Sequence, residues 1–336
     1  MSKGVRVPRS QRWILALDVG GTNMSGALFS EDGGDPLAVM TRRTPASEGP
    51  EGVVAAGVQL LEEVRDEGVA EGVDPKRIVG AGVGVPGTVE PGRGIVSLAP
   101  NLGWRDVPVR DLLQDRLGLP VVVDNDANCA ALGEWWVGAG RGSRLMIAAT
   151  LGTGIGGGIV EEGRVLRGVI GAAGEIGHMT IEVDGRPCQC GSRGCLEAYA
   201  SGTGIGVRAR EALREGGESA MREMVDSEEE VTAAVVAKAA SEGDALGQRI
   251  LRETARYLAA GLASLINILN PDRIVLAGGV VKTGGLLLDP VREEVRRRAF
   301  HASAESCVIA AARDPELAGV RGASLTFRRE VLEGHR

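Results

Sequence analysis

From Gly174 to Glu197 the chain reads GEIGHMTIEVDGRPCQCGSRGCLE, and this stretch constrains the fold more than any other. His178 is followed by Cys188, Cys190 and Cys195, so three of five cysteines and one of three histidines share one short segment. Three thiolates and a neutral imidazole make a closed tetrahedral set for Zn²⁺. Gly185, Gly191 and Gly194 let the backbone wrap tightly around an ion. Glu175 and Glu197 bracket the set, so a metal knot here would also place two carboxylates. Disulfides are disfavoured, because the cysteine count of five is odd, the chain of 336 residues is long and its start shows no secretory signal. A redox cysteine pair is the competing reading, and His178 taken alone would be an ordinary buried histidine.

A chain of this length buries a large core and is expected to form two lobes. The 51 glycines lack a collagen period and therefore point to many tight turns and close backbone approaches. A net charge of −7 argues against nucleic acid as a partner. No apolar run reaches transmembrane length, and the basic start MSKGVRVPRSQR lacks the apolar centre of a signal peptide. A cytoplasmic location with no membrane partner is the expectation.

The apolar run Trp13–Val19 predicts a buried strand that turns through GGTN into a second strand over 25–30, with a third over 37–42. Helices are predicted over 52–67, 107–117, 125–137, 203–214, 231–241, 244–269, 291–298 and 315–328. Strands are predicted over 77–85, 119–123, 273–277 and 307–311. Leu145 to Val160 reads as strand, glycine turn, strand. Strand ends in the early chain and near 147–160 resemble each other, which suggests two related α/β lobes facing a cleft. The charged stretch 211–230 reads as a solvated face. The apolar run 257–269 reads as core before interface.

Two glycine loops have the character of phosphate binders: Asp18-Val-Gly20-Gly21-Thr22, and Gly152-Thr153-Gly154 with the glycines that follow. Successive N–H groups in such loops form anion-binding concavities. Asp18 would repel phosphate unless Mg²⁺ lies between them. The second loop matches the dinucleotide fingerprint, but an apolar strand follows it where that fingerprint needs a helix, which argues against an NAD enzyme. For each loop the plain alternative is a hairpin turn. Gly278-Gly279 ends a late strand and is a further candidate nucleotide contact. Val121–Val123 leads out to Asp124, Asn125 and Asp126, at the strand end where α/β proteins collect ligands. One of these three can cap the following helix. Phosphoryl transfer to a hydroxyl needs a carboxylate to orient it and accept its proton, and Asp126 is the candidate.

Eight segments in order, DVGGTN (18–23), GVPGTV (84–89), APNLGW (99–104), DNDANCAALGE (124–134), TLGTGIGGGI (150–159), GEIGHM (174–179), CQCGSRGCLE (188–197) and LAGGV (276–280), resemble the ROK family of sugar kinases and repressors. The resemblance is strongest to the zinc-containing, ATP-dependent bacterial glucokinase branch. It implies an α/β fold of the two-lobed actin-like ATPase (ribonuclease H-like) type. A small lobe would span 1–123 plus about 313–336, and a large lobe 124–312 with the zinc loop 175–197. It implies phosphorylation of glucose at its 6-hydroxyl by ATP with Mg²⁺, Asp126 acting as base. Asn101, Asn125, Glu175, His178 and Glu197 would bind the other hydroxyls and Gly87 would add a backbone contact. His178 would give one ring nitrogen to zinc, with Cys188, Cys190 and Cys195, and the other to sugar. Gly20, Gly21, Thr22, Gly152, Thr153 and Gly154 would hold phosphates, Gly278 and Gly279 would lie near adenosine, and Asp18 near Mg²⁺. A homodimer or homotetramer is implied.

Asn23 stands where many relatives carry lysine, leaving one less positive charge at the first loop. The repressors carry an N-terminal helix-turn-helix, for which the residues before Trp13 are expected to leave no room. The rival readings are a kinase of another hexose (N-acetylmannosamine, N-acetylglucosamine, mannose or fructose), polyphosphate as donor, and a non-catalytic sugar sensor.

Overall fold

The computed structural model describes residues 11–334. The basic start over 1–10, read above as lacking a signal centre, lies outside the described residues. The chain divides into two compact units. The first holds the chain up to Gly138, the excursion Gly163–Ala173 and the chain from Asp314 on; the second holds Ala139–Glu162 and Gly174–Arg313. Among the described residues no helix is long and apolar enough to cross a membrane.

The two units repeat one strand pattern. In the first, the sheet runs Ala38–Arg43, Asn23–Ser30, Trp13–Val19, Ile78–Val85, Val121–Asn125, antiparallel through the hairpin and then parallel. In the second, Ile155–Glu161 lies antiparallel to Leu145–Leu151, and Arg273–Ala277 and Val308–Ala311 follow in parallel. The chain is thus a mixed α/β protein of the two-lobed actin-like type. Register in the first sheet sets Asp18 beside Gly84 and Gly84 beside Asp124, so these three positions line up across three parallel strand ends.

Helix Gly49–Ala70 covers one face of the first sheet, burying Val53, Leu60, Leu61 and Val64. The other face carries Asp126–Trp136 packed along Pro315–Phe327. These helices approach so closely that a methyl group at Gly322 would overlap the Cys129 carbonyl, which explains a glycine in mid-helix. The sequence reading began the second lobe at residue 124. This packing instead counts the helix Asp126–Trp136 with the first unit.

The second unit is built around Ala245–Leu269, capped by Asp244 on the Gly247 N–H at 2.7 Å and ended by Asn270 in the left-handed region. Its Ile250, Leu258, Leu262 and Ile266 are no more than 1% exposed, each contributing about 1.5–3 kcal/mol of burial. The apolar run 257–269 is therefore mostly core, although Ile268 is exposed.

Two expectations differ from the structure. The helix predicted from residue 291 begins at Gly285 and runs through Pro290. That proline forfeits one early hydrogen bond, and burial of Leu287, Leu288, Val291 and Val295 offsets it. A small sheet, Thr88–Val89, Val96–Ala99 and Trp104–Val107, has no counterpart in the sequence reading, which started a helix at Val107. Its strands are too short to show alternation between Gly92, Gly94 and Gly103.

Candidate active site

In the first unit the strand Val121–Asn125 delivers three polar residues with three separate tasks. Asp124 is buried and accepts from the Asn125 N–H at 2.7 Å, Asn128 Nδ2 at 3.1 Å and Arg167 Nε at 2.9 Å. Asn125 is the helix cap, accepting the Asn128 N–H at 3.0 Å while its amide donates to the Gly87 carbonyl at 2.9 Å and to Asp126 Oδ1 at 3.1 Å. Asp126 then opens the helix, its Oδ1 also accepting the Ala127 N–H at 2.8 Å. A carboxylate at that position gains from the helix N-terminal field. Asp18 is its neighbour: burial first, and then the charge of Asp126, push the Asp18 carboxyl up to about 7. A divalent cation beside Asp18 would reverse that shift, so the pair suits Mg²⁺. Helix Pro315–Phe327 leaves space for Asp18 only because Gly319 has no side chain.

The first glycine loop is a hairpin turn. Gly20 N–H donates to the Asn23 carbonyl at 2.9 Å, and Thr44 closes the turn through its hydroxyl on the Gly20 carbonyl at 2.7 Å and its N–H on the Thr22 carbonyl at 2.8 Å. Gly21, Thr22 and Asn23 are exposed, and Asn101, exposed on the turn Pro100–Leu102, stands beside Gly21.

In the second unit His178, Cys188, Cys190 and Cys195 bring one ligand atom each to within 4.8 Å of the others. Cys188 Sγ is 3.8 Å from His178 Nδ1, and Cys190 and Cys195 are 3.7 Å apart. Around an ion with sulfur bonds of about 2.3 Å, tetrahedral ligands stand about 3.8 Å apart, so the spacing fits zinc. The donor chemistry fits as well: with no cation, burial pushes the Cys188 thiol up to about 12 and raises Cys195, while the Ser192 N–H lowers Cys190. Three thiolates gather here only against a positive charge. The other ring nitrogen of His178 lies 3.9 Å from the exposed carboxylate of Glu175. Glu197 faces two ways, accepting the Ile155 N–H at 2.8 Å through Oε2 and standing 3.8 Å from Cys188 Sγ through Oε1.

A cavity of about 930 Å³ opens in the same unit. Gly152, Thr153 and Gly279 form part of its rim, Ala233, Ala237 and Val280 an apolar wall, and Arg210, Lys238 and Lys282 its cations. Gly278 is not on that wall; with φ +94° it packs against the Leu151 backbone and turns Gly279 into the cavity.

The ROK family sequence profile matches residues 14–330. The chain belongs to the ROK family. The glucokinase of Halalkalibacterium halodurans is 40% identical over 84% of this chain and 85% of its own. That of Thermotoga maritima is 37% identical over 95% and 98%. Among solved structures, the ROK family glucokinase from Streptomyces griseus in complex with glucose and AMPPNP is 36% identical, with a TM-score of 0.80 over 94% of this chain and 98% of that one.

On this ROK scaffold the sequence-derived residues fall into two groups. Asp18, Gly20, Gly21, Thr22, Gly87, Asn101, Asn125 and Asp126 belong to the first unit. Gly152–Gly154, Glu175, His178, the three cysteines, Glu197 and Gly278-Gly279 belong to the second. Sequence reasoning missed Arg167, which ties Asp124 to Glu330 and raises no motif of its own. It also missed the cavity's cations. Lys282 could have been found from its place just after a strand-end glycine pair; Arg210 and Lys238 sit on ordinary amphipathic helices and gave no signal.

Proposed function

We propose that this protein is a glucokinase, transferring the γ-phosphoryl group of ATP to the 6-hydroxyl of glucose. The observation that carries the reading is the carboxylate pair: Asp126, held at a helix start by Asn125, beside a buried Asp18. Asp126 orients the sugar hydroxyl and accepts its proton, a role worth about 10²–10⁴-fold in rate. Asn101, Asn125, Glu175, His178 and Glu197 bind the remaining hydroxyls, with the Gly87 backbone. Asp18 holds Mg²⁺, which when bound neutralises charge on the transferring phosphate. The N–H groups of Gly20–Thr22 and Gly152–Gly154 bind phosphate oxygens, and the apolar wall of the cavity takes the adenosine beside Gly279. The Cys₃His set holds zinc with all four positions filled by protein, so the ion supplies rigidity rather than an open site for chemistry. The similarity to glucokinases over most of the chain supports glucose and ATP over other sugars and donors.

The test is ADP release from Mg-ATP with glucose, mannose, fructose, N-acetylglucosamine and N-acetylmannosamine. The expected result is a preference for glucose by at least about tenfold in kcat/KM, the net size of one neutral hydrogen bond. Preference for an N-acetylated sugar would move the substrate and keep the chemistry. Silence on every sugar with both ATP and polyphosphate would overturn the kinase reading.

A further inference from the structure

The metal cluster and the nucleotide cavity of the second unit are joined by one short run of chain. Cys195 belongs to the cluster, and Gly202, Thr203, Ile205 and Gly206 already line the cavity. Between them stand two braces. The first is Glu197, whose carboxylate reaches from Cys188 Sγ to the Ile155 N–H. It passes so close to Gly154 that a methyl group there would overlap Oε2. It therefore grips the glycine loop from behind, while Gly152 and Thr153 of that loop face the cavity. The second is Tyr199, whose hydroxyl accepts the Arg186 N–H at 2.7 Å and whose ring lies 4.4 Å from that of Tyr257. The chain then returns to the same loop: Gly202 N–H donates to the Gly152 carbonyl at 2.7 Å.

A loop of this composition has little means of holding itself. Glycine loses more conformational freedom on ordering than any other residue. Its phosphate-binding shape must be imposed by neighbours, and binding to a loop already in shape avoids that cost. Glu197 is the charged neighbour that does so, and its own position depends on the turn that follows Cys195.

We propose that the metal cluster sets the nucleotide affinity of this unit, and that Glu197 is the positioning residue through which it acts. The inference rests on reading the cavity as the nucleotide site, and it extends the role of the metal from the sugar to the phosphoryl donor. Metal removal and loss of the Glu197 carboxylate weaken nucleotide binding through the same step, so their effects do not add.

Calorimetric titration of Mg-AMPPNP without sugar tests this directly, on wild type, Glu197→Ala, Glu197→Gln, Cys190→Ser and the Cys190→Ser/Glu197→Ala double variant. Metal content and circular dichroism are measured alongside. Glu197→Ala is expected to keep its metal and bind nucleotide about tenfold more weakly, the size of one charge-assisted hydrogen bond. Glu197→Gln, whose carbonyl still accepts the Ile155 N–H, restores affinity to within about threefold if that bond is what matters. Cys190→Ser loses metal and weakens nucleotide binding by a similar factor, and the double variant is no weaker than Cys190→Ser. Wild-type affinity in metal-free Cys190→Ser protein, or full additivity in the double variant, overturns the inference. If Glu197→Ala does not fold, chelator-stripped wild type decides, and unchanged AMPPNP affinity there overturns it. Failure of untreated, metal-loaded wild type to bind AMPPNP at all would instead overturn the nucleotide reading.

Discussion

The two glycine hairpins occupy the same topological place, the turn between the first two antiparallel strands of each sheet, yet they are built differently. The first is closed by a neutral threonine, Thr44, and its leading strand ends in an acid, Asp18. The second is held from behind by an acid, Glu197, and its leading strand, Leu145–Leu151, carries none. The first hairpin therefore has a carboxylate on its own leading strand, and the second has none there. A repeated fold thus has a charged half, with Asp18 and Asp126 beside its hairpin, and a half whose hairpin is shaped by close backbone contacts and whose charge lies elsewhere, in the Cys–His cluster and the cavity's cations.

That contrast can be broken most sharply at Asp126. Asp126→Asn preserves size and helix position but cannot accept a proton, so kcat is expected to fall about 10²–10⁴-fold while calorimetric AMPPNP affinity stays within about threefold of wild type. Near-normal turnover would remove the base assignment.

A smaller loss is expected from Arg167→Met, which leaves the buried Asp124 without its cation. We expect kcat to drop about tenfold with little change in the KM for ATP, and Arg167→Lys to recover part of it; an effect confined to KM for ATP would place Arg167 outside the charged half.

In the second half, shape can be tested by itself at the end of strand Arg273–Ala277. Gly278→Ala forces a side chain into φ +94° against the Leu151 backbone and is expected to cost about 1–3 kcal/mol in denaturant melts. Gly279→Ala meets nothing within 4 Å and should melt like wild type. Equal losses at both positions would show that the strand end itself, and not the close approach, is what matters.

The smallest effect concerns pH. Because the folded Asp18 carboxyl sits at about 7, well above its ordinary value, the folded state binds the extra proton between these limits. Stability in magnesium-free buffer without chelator is therefore expected to decline as pH rises from about 4 to about 7, and added Mg²⁺ to recover it. Asp18→Asn should flatten that slope in thermal melts; an unchanged slope would assign it to other groups.

Much of this was legible in the residues themselves. The Cys–His spacing foretold four side chains that do converge, because short glycine-rich turns leave few ways to arrange them. The apolar runs gave the central strands of both sheets, since buried parallel strands are almost wholly apolar. Asp124, Asn125 and Asp126 could be singled out as a group, with Asp126 the candidate base, but which of them caps the helix stayed open. Which one caps, which is buried and which is presented depends on Arg167 and Gly87, both remote in sequence. The second role of Glu197 was hidden for the same reason, as Glu197 opens a short helix and Ile155 lies in a strand remote in sequence. Gly278 and Gly279 looked equivalent and are not, because only backbone direction separates them.

The helix Pro315–Phe327 packs beneath the strand end bearing Asp18 and against the helix opened by Asp126, so tightly that glycines are required at the contacts. On the ribosome this has a consequence for timing. The second unit ends at Arg313, so every residue of its core is made before the helix Pro315–Phe327. The half bearing both carboxylates, though begun first, must wait for the part of the chain synthesised after that unit. A chain stopped just after Arg313 would therefore keep every residue of the second unit and lack the helix that backs both carboxylates.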